Sequence, residues 1–397
     1  MPEMRGTLVR RTWEHNPALY APARYRKACH YEALIPSAIA GFAEPISSEV
    51  SGIVSEAEAS IHALNVRTAP ALAPLARLLL RSESIASSKI EGLQVSVGEI
   101  ARAESKLDRG GKSGPVLREV LGSIDAMELA IDHASAQAAI TADNIVEIHE
   151  VLMRSAANPR VAEVIRTEQN WIGGNDYNPC GADFVPPPPE EVPRLLADLS
   201  VAINEEHLPP IIQAGLVHAQ FETIHPFLDG NGRTGRALIH VILHRRGMSP
   251  RFVPPLSIIL AGNKERYLAG LTAFRNGDTS GWLTIFAEAA AQSAALASRY
   301  LEAVGALQEK WKSALTAGIN PRSDAVAWKI LEILPGLPII TTPVATLAVQ
   351  RTKAVVGEGL KQLESAGILT RLPSGESARA WESLELLDLI SDLEAGI

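Results

Sequence analysis

The chain has 397 residues, a formal net charge of -8, and 46% hydrophobic but only 5% aromatic residues. This length suits about two to three domains with sizeable cores. The acidic balance makes the chain a poor default binder of nucleic acid. No run of about 18 uncharged apolar residues occurs, so the sequence predicts no membrane span.

The chain has two cysteines, Cys29 and Cys180. Two cysteines cannot form a disulfide framework, and the N-terminal segment lacks the apolar run of a signal peptide. Both observations predict a cytoplasmic location, where thiols stay reduced. We interpret Cys180 as incidental to the loop that contains it.

Apolar residues recur at helical spacing through most of the chain, after an N-terminal arm over residues 1–25 that is rich in arginine and proline. Gly92 is expected to end the second helix, and Thr141 to cap a later one. Glycines over residues 110–114 predict a flexible loop. Predicted helices cover residues 48–64, 70–91, 116–136, 142–156, 210–225, 232–246 and 293–317, with further helix over 255–286 that is broken at Gly277.

Two segments depart from this helical pattern. Residues 160–189 hold glycines, aromatic residues and a run of four prolines, which predicts a β-hairpin or extended flap. Residues 323–382 predict three helices followed by two strands, the element order of a winged helix-turn-helix. The second of these helices is expected to begin at Thr342 and Pro343, which suit its cap and first position.

The stretch from His225 to Arg236 reads His-Pro-Phe-Leu-Asp-Gly-Asn-Gly-Arg-Thr-Gly-Arg. An imidazole with an ordinary pKa of about 6.5 can take a proton near neutral pH. Asp229 offers a hard oxygen ligand for Mg²⁺, which usually binds one or two carboxylates plus substrate phosphates. This inventory predicts a site that holds a polyphosphate and a metal beside a general base.

The second half of the stretch suits an anion. Gly230 and Gly232 allow the backbone to approach a phosphate closely, and the first N–H groups of the following helix favour negative charge. Arg233 and Arg236 lie three residues apart on one helical face and can bind phosphate oxygens bidentately.

This stretch resembles the signature of the Fic family, His-x-Phe-x-Asp/Glu-Gly-Asn-Gly-Arg-x-x-Arg, at every specified position. The resemblance implies a protein adenylyltransferase that uses ATP and Mg²⁺ and modifies a hydroxyl of a target protein or of itself. It implies that His225 is the general base and that Asp229 holds the metal. The nucleotide-binding residues that it implies are Gly230, Asn231, Gly232, Arg233 and Arg236.

An upstream stretch, Ser87-Ser-Lys-Ile-Glu-Gly92, resembles the family's inhibitory motif, Ser/Thr-x-x-x-Glu-Gly/Asn. By that resemblance Glu91 pairs with Arg236 and keeps ATP in an unproductive pose. The same glutamate implies possible removal of AMP as well. An ordinary exposed serine and glutamate at a helix end is the plainer interpretation.

The segment from Trp171 to Val185 resembles the family's flap, which docks a target by strand addition. Ile172, Gly173, Gly174 and Asn175 are the candidate docking residues, against the alternative of a plain surface hairpin. Tyr267 is a candidate for packing beside the adenosine, with core packing as the equal alternative.

Other interpretations of the signature are a simple turn between core helices and a zinc site. A zinc site could use His218 with His225, or His240 with His244, but the last pair lacks the glutamate of His-Glu-x-x-His. More simply, His244 complements the negative end of a helix dipole.

The C-terminal segment raises a different class of function, a DNA-binding regulator whose Fic site senses nucleotide. Residues 323–382 contain six basic and six acidic residues, and DNA binding depends strongly on phosphate neutralisation. Target docking is therefore preferred over DNA contact. An exposed basic face formed by Thr352, Lys353 and Lys361 would favour DNA.

We therefore predict a mainly α fold, a Fic-type helical bundle with a β-hairpin flap and a C-terminal winged helix-turn-helix domain. The sequence leaves the oligomeric state open, and a homodimer is one candidate because relatives in the family often pair. The expected divisions are an N-terminal segment with the inhibitory helix over 1–115, the catalytic core over 116–290, a connecting helix over 291–320 and the winged helix over 321–397.

Overall fold

A computed structural model describes residues 6–66, 73–107, 113–156, 165–372 and 379–397. It is mainly helical, which confirms the predicted class. The helices of the first 250 residues are α1 (Ser48–Asn65), α2 (Ala73–Ile90), α3 (Val97–Leu107), α4 (Pro115–Ala136), α5 (Ala142–Met153), α6 (Val192–Asn204), α7 (Pro210–Ile224) and α8 (Asn231–Arg245). The later helices are α9 (Leu256–Gly262), α10 (Lys264–Arg275), α11 (Thr279–Gly318), α12 (Val326–Ile333), α13 (Thr342–Val349), α14 (Lys353–Ser365) and α15 (Leu384–Ala395).

The described chain divides into two compact units that interleave in sequence. The first unit takes its residues from 6–58, 125–247 and 264–288, and the second from 59–124, 248–263 and 289–397. The proposed domain boundaries stay a prediction. No helix in the described part of the chain is long and apolar enough to cross a membrane.

Helix α7 forms the centre of the first unit and is buried along nearly its whole length. Its neighbours approach closely because glycines face them: a Cβ added at Gly235 in α8 would lie 2.6 Å from Glu222 Oε1. At Gly215 a Cβ would lie 3.0 Å from Phe286, and the Trp282 indole N–H donates to the Gly215 carbonyl at 2.8 Å. Burying such large side chains contributes roughly 2–3 kcal/mol each, so this packing fixes the loop between α7 and α8.

The predicted arm over residues 1–25 contains a strand that the sequence did not indicate, and residues 1–5 lie outside the described part of the chain. Strand β1 (Thr7–Trp13) pairs antiparallel with β2 (Cys29–Ile35) in a two-stranded sheet. The β1 side chains are mostly exposed, so the strand lacks the alternation of apolar and polar residues that would have indicated it.

The second unit contains the C-terminal segment in the predicted order of helices and hairpin. Strand β3 (Ile339–Thr341), which the sequence did not indicate, joins β4 (Thr370–Arg371) and β5 (Ala380–Glu382) in a described sheet of order β3-β5-β4. The cap of α13 lies one residue earlier than expected, since the Thr341 hydroxyl accepts from the Val344 N–H at 3.3 Å. The winged-helix assignment itself stays a prediction.

Several other boundaries differ from the predictions. Helices α3, α6 and α15 were not predicted, and the predicted connecting helix over 293–317 is the second half of the 40-residue α11. Helix α1 lies where the sequence predicted a helix, and Thr141 caps α5, as was also predicted, in a capping box. Most of the predicted loop over 110–114 and the turn between β4 and β5 lie outside the described residues.

Candidate nucleotide-binding and catalytic site

The signature forms the loop between α7 and α8 and the first turns of α8. His225 ends α7 in the left-handed conformation, with φ 47° and ψ 61°, and its N–H donates to the Phe221 carbonyl at 2.9 Å. Gly230 adopts φ 78° immediately before α8. These two left-handed residues turn the chain sharply, so the signature is compact although it links two long helices.

Asn231 closes this loop with its side chain. Its Oδ1 accepts from the Phe227 N–H at 2.9 Å, and its Nδ2 donates to the Phe227 carbonyl at 2.8 Å. The amide is therefore committed to shaping the loop, and its expected contribution to an anion site is limited to its backbone N–H. The first N–H groups of a helix have no partner within it and attract anions.

The His225 ring lies at the accessible mouth of this loop. Its Nδ1 is 4.0 Å from Glu222 Oε2, one turn earlier on α7, and the side chain is 20% exposed. The Glu222 carboxylate is buried. The two side chains are neighbours at the end of α7, at a separation longer than a hydrogen bond.

Helix α5 supports the loop from beneath. The ring of His149 stacks on Phe227, and its Nε2 lies 2.9 Å from the Asp229 carbonyl. A carbonyl only accepts, so this nitrogen carries the hydrogen. Burial lowers the pKa of His149 to about 4, which keeps the ring neutral near pH 7. The sequence placed His149 in a predicted helix but gave no sign of this role.

Arg233 is the strongest sign of an anion site. Its side chain is buried, and Nη2 lies 3.8 Å from Met153 Sδ and 3.8 Å from Asp229 Oδ1. In the part of the chain that the structure describes, its Nε and Nη1 have no hydrogen-bond partner. A buried guanidinium with open donors is costly unless an anion supplies the missing acceptors. Arg236, one turn further along α8, is also buried.

Asp229 lies at the exposed edge of the same loop. Its side chain is 66% exposed, and its Oδ1 accepts the Gly230 N–H at 2.6 Å. Among the described residues no group of three or more histidine, cysteine, aspartate or glutamate side chains forms a metal cluster. A single accessible carboxylate fits Mg²⁺, which takes most of its other ligands from water and phosphates.

The flap is held by a single β-bridge between Ile172 and Phe184. The Ile172 N–H donates to the Phe184 carbonyl at 2.8 Å. Gly173 and Gly174 follow with φ 74° and 75°, a left-handed pair that only glycine adopts without strain. Asn175 Oδ1 accepts the Tyr177 N–H at 2.9 Å, which fixes the next turn. The flap is thus a loop closed by one bridge, with a glycine turn at its start, rather than a regular hairpin.

The flap is joined to the N-terminal sheet. A disulfide links Cys29 to Cys180, so the interpretation of Cys180 as incidental is wrong. Trp13 also packs edge-on against Trp171, with ring centroids 5.7 Å apart. The two cysteines lie 151 residues apart in sequence, and no local pattern could have indicated their pairing.

Tyr267 lies inside the first unit. Its side chain is buried, and its hydroxyl is 2.9 Å from His218 Nε2. The two rings stack, beside Trp282. This position favours core packing over contact with adenosine, and the His218 contact also removes that nitrogen from any zinc site.

The inhibitory motif lies in the second unit, at the end of α2. Ser87 is buried within the helix, and Glu91 is exposed in the turn that follows. Gly92 adopts φ 90°, which confirms that the helix ends here. Because Glu91 and Arg236 belong to different units, their pairing stays a prediction.

Comparison with known proteins identifies two regions. The Fic/DOC family model matches residues 139–243, and the model of the Fic/DOC family N-terminal region matches residues 51–132. The protein adenylyltransferase fic-1 of Caenorhabditis elegans is 30% identical over 254 residues, covering 61% of this chain and 45% of that protein. The protein adenylyltransferase Fic of Nematostella vectensis is 33% identical over 197 residues, covering 48% and 42%. The chain thus spans less than half the length of these relatives.

Solved structures support the fold. A Fic family protein from Desulfovibrio desulfuricans superposes with a TM-score of 0.54 at 21% identity, covering 86% of this chain and 97% of that one. A Fic domain containing signaling protein from Bacteroides thetaiotaomicron gives a TM-score of 0.52 at 20% identity, covering 63% and 97%.

Proposed function

Because the chain belongs to the Fic/DOC family, we propose that it is a self-inhibited protein adenylyltransferase. It transfers AMP from ATP to a serine, threonine or tyrosine hydroxyl of a target protein or of itself. The observation that carries this proposal is the buried Arg233, whose Nε and Nη1 lack hydrogen-bond partners among the described residues, in the same short stretch of chain as the partly exposed His225 ring. Transfer of a nucleotide to a hydroxyl requires a base together with donors that bind the phosphates.

In the proposed reaction His225 takes the proton of the target hydroxyl. The hydroxyl oxygen forms a bond to the α-phosphorus of ATP, and the bond from that phosphorus to the bridging oxygen of the β-phosphate breaks. Pyrophosphate leaves with the electron pair. Arg233, Arg236 and the first N–H groups of α8 hold the phosphates, where Gly230 and Gly232 permit a close approach.

Asp229 is the residue that would hold Mg²⁺. Its exposed carboxylate has a free face despite the bond from the Gly230 N–H. When bound, the ion would neutralise phosphate charge. The other steps of the proposal use side chains and backbone N–H groups of the chain itself.

The flap presents the target. An extended segment of the target protein would dock beside Ile172 through Asn175 by strand addition, at the edge opposite Phe184, because the Ile172 N–H and carbonyl already pair with Phe184 and Asp183. Strand addition uses main-chain hydrogen bonds rather than side-chain contacts. The target would therefore be recognised first as an extended segment.

Control of the reaction is assigned to Ser87, Glu91 and Gly92. Glu91 would compete with the ATP γ-phosphate for Arg236, since a carboxylate and a phosphate both bind a guanidinium bidentately. The same glutamate could assist removal of AMP. A homodimer and a cytoplasmic location complete the proposal.

The test uses ATP labelled in the α-phosphate, Mg²⁺ and the Glu91→Gly form, with candidate proteins and the chain itself as acceptors. Covalent label that disappears in the Glu91→Gly, His225→Ala double variant supports the transferase. ATP binding without label on any acceptor would contradict it.

A second candidate function is DNA contact by the C-terminal segment. Lys353, Lys361 and Arg379 are exposed and line one cavity of about 410 Å³, together with Glu358. This local excess of positive charge favours the contact although the segment as a whole is neutral. A gel shift that weakens with salt and with Lys353→Glu, but not with the exposed control Lys329→Glu, would support it.

A further inference from the structure

We propose that Arg166 and Asn170, together called the clamp, are positioning residues that hold the His225 backbone in its left-handed conformation. This inference rests on the proposed function of His225 as the base. Arg166 Nε donates to the His225 carbonyl at 2.9 Å, and Asn170 Nδ2 donates to the same carbonyl at 3.0 Å. Neither residue belongs to the signature.

The His225 carbonyl needs such donors. A non-glycine residue in the left-handed region costs on the order of 1–3 kcal/mol and persists only where its surroundings enforce it. The residue also ends α7, where the last carbonyls have no partner within the helix. Arg166 Nη2 is 3.3 Å from the Ile224 carbonyl as well, so one guanidinium satisfies both terminal carbonyls and complements the negative end of the helix.

Arg166 is buried, and its hydrogen bonds in the described structure go to backbone carbonyls. Burial lowers its pKa to about 10, but the guanidinium stays charged near pH 7. A buried cation is expensive unless its donors are filled. Here the donors are filled by carbonyls from separate segments, so the charge serves to hold those segments together.

Asn170 extends the clamp further along the loop. Its Nδ2 also donates to the Phe227 carbonyl at 3.0 Å. Both neighbours of Nδ2 are acceptors, which fixes the orientation of the amide. Oδ1 is left buried without a hydrogen-bond partner among the described residues. An amide that leaves its oxygen unsatisfied in order to grip two loop carbonyls indicates a positional role.

The clamp also connects the base to the flap. Residues 165–170 lead directly into the flap, and Arg166 Nη2 donates to the Pro187 carbonyl at 2.6 Å, where the flap returns. The Arg166 N–H donates to the Pro226 carbonyl at 2.9 Å. The clamp therefore positions His225, the candidate catalytic base. It also anchors the segment that presents the target where that segment begins and where it returns.

The experiment compares Arg166→Met and Asn170→Ala with Gln169→Ala, all in the Glu91→Gly form. Gln169 is the matched control because its Nε2 donates to Asn170 and Pro186 carbonyls and to none in the catalytic loop. The kcat of self-labelling, measured with ATP labelled in the α-phosphate, should be about 10²-fold lower in the clamp variants, because a small misplacement of a reacting group has this cost. The KM for ATP of the clamp variants should stay at the value of the Glu91→Gly form. The Tm of the Gln169→Ala control should not change.

A second readout does not depend on activity. The imidazole resonance of His225, assigned by its loss in His225→Ala, should shift in Arg166→Met and Asn170→Ala and stay in place in Gln169→Ala. Asn170→Ala, which removes no charge, carries the test if Arg166→Met fails to fold. An unmoved resonance in Asn170→Ala, or an equal shift in the control, overturns the clamp.

The two proposals can fail separately. A Glu91→Gly form that labels nothing contradicts the transferase, while the resonance test still decides the clamp. A clamp variant that loses ATP affinity as strongly as kcat indicates general disruption and also overturns the positioning role.

Discussion

The imidazole of His149 lies parallel to the ring of Phe227, with centroids 3.7 Å apart and an interplanar angle of 5°. This contact places a buried, neutral histidine of α5 directly beneath the loop that carries the candidate base. The Nε2–H of His149 donates to the Asp229 carbonyl at 2.9 Å. The loop is thus shaped from below by one residue whose protonation depends on pH.

His149→Phe should therefore change how stability depends on pH. Burial lowers the pKa of His149 from 6.5 to about 4. As the pH falls from 6.5 to about 4, His149 binds a proton in the unfolded chain but stays neutral in the folded state. The free energy of unfolding therefore decreases by up to about 3 kcal/mol. This stability is fully present above pH 6.5 and is lost by about pH 4.

The phenylalanine keeps the stacking but leaves the Asp229 carbonyl without its donor, a loss of about 1–3 kcal/mol at pH 7. Denaturant unfolding at pH 7 and pH 5 measures both effects. The difference in free energy of unfolding between wild type and His149→Phe should be smaller at pH 5 than at pH 7. An equal difference at both pH values would contradict the neutral state of the ring.

Arg233→Met should separate stability from binding. The variant removes a buried charge whose Nε and Nη1 have no partners among the described residues, so its free energy of unfolding should be equal or higher, by up to about 2 kcal/mol. ATP should no longer raise its Tm, because a ligand stabilises only the form that binds it. A large loss of stability without ATP would show that Arg233 is structural.

The sequence predicted the loop between α7 and α8 because its determinants are local. The left-handed turn, the glycine before α8 and the arginine spacing all lie within His225–Arg236. His149, Arg166 and Asn170 could not be identified in this way, because they reach the loop from distant segments. Arg166 and Asn170 follow no periodic pattern, and His149 lies on the buried face of α5 without a local signal for its partner. All three contact backbone carbonyls, which any sequence provides.

The N-terminal sheet was missed for a related reason. Strand β1 exposes most of its residues and pairs with a strand beyond a proline-containing turn. Helical periodicity was a better guide, since α1 and α4 each bury one regular stripe. The Tyr267 ring stacks on His218 in the core, which fits the alternative that the sequence left equally open.

Glu91→Gly should raise AMP transfer well above that of wild type. If Glu91 competes for Arg236, its removal leaves the guanidinium to the ATP γ-phosphate. Glu91 is exposed in the turn that follows α2. Gln94→Gly, also exposed and three residues away, is the control. Equal rates for wild type and Glu91→Gly would refute the brake.

The Cys29–Cys180 disulfide should stabilise the first unit when it is oxidised. A link across so long a loop contributes about 2–4 kcal/mol, and Cys29→Ser or a reductant should remove it. Unfolding with and without reductant measures this, and Cys29→Ser should not respond to the reductant. An alkylating reagent added to freshly lysed cells tests the predicted cytoplasmic location. Both thiols should be modified, because the disulfide would be reduced in the cytoplasm.

Gly173→Ala should disable the flap without affecting the nucleotide site. An added Cβ would lie 1.9 Å from Asp183 Oδ2, and the backbone has φ 74°. Gly181→Ala is the matched control, since it has φ 80° but no atom within 4 Å of the added Cβ.

Both variants carry the cost of left-handed backbone, about 1 kcal/mol, but only Gly173→Ala must also displace the side chain of Asp183 in the return segment of the flap. Labelling of a target by the Glu91→Gly form should therefore fall in Gly173→Ala far more than in Gly181→Ala, while ATP still raises the Tm of both. If the two variants label equally well, the geometry of the glycine turn does not determine target docking, and strand addition at the flap is wrong.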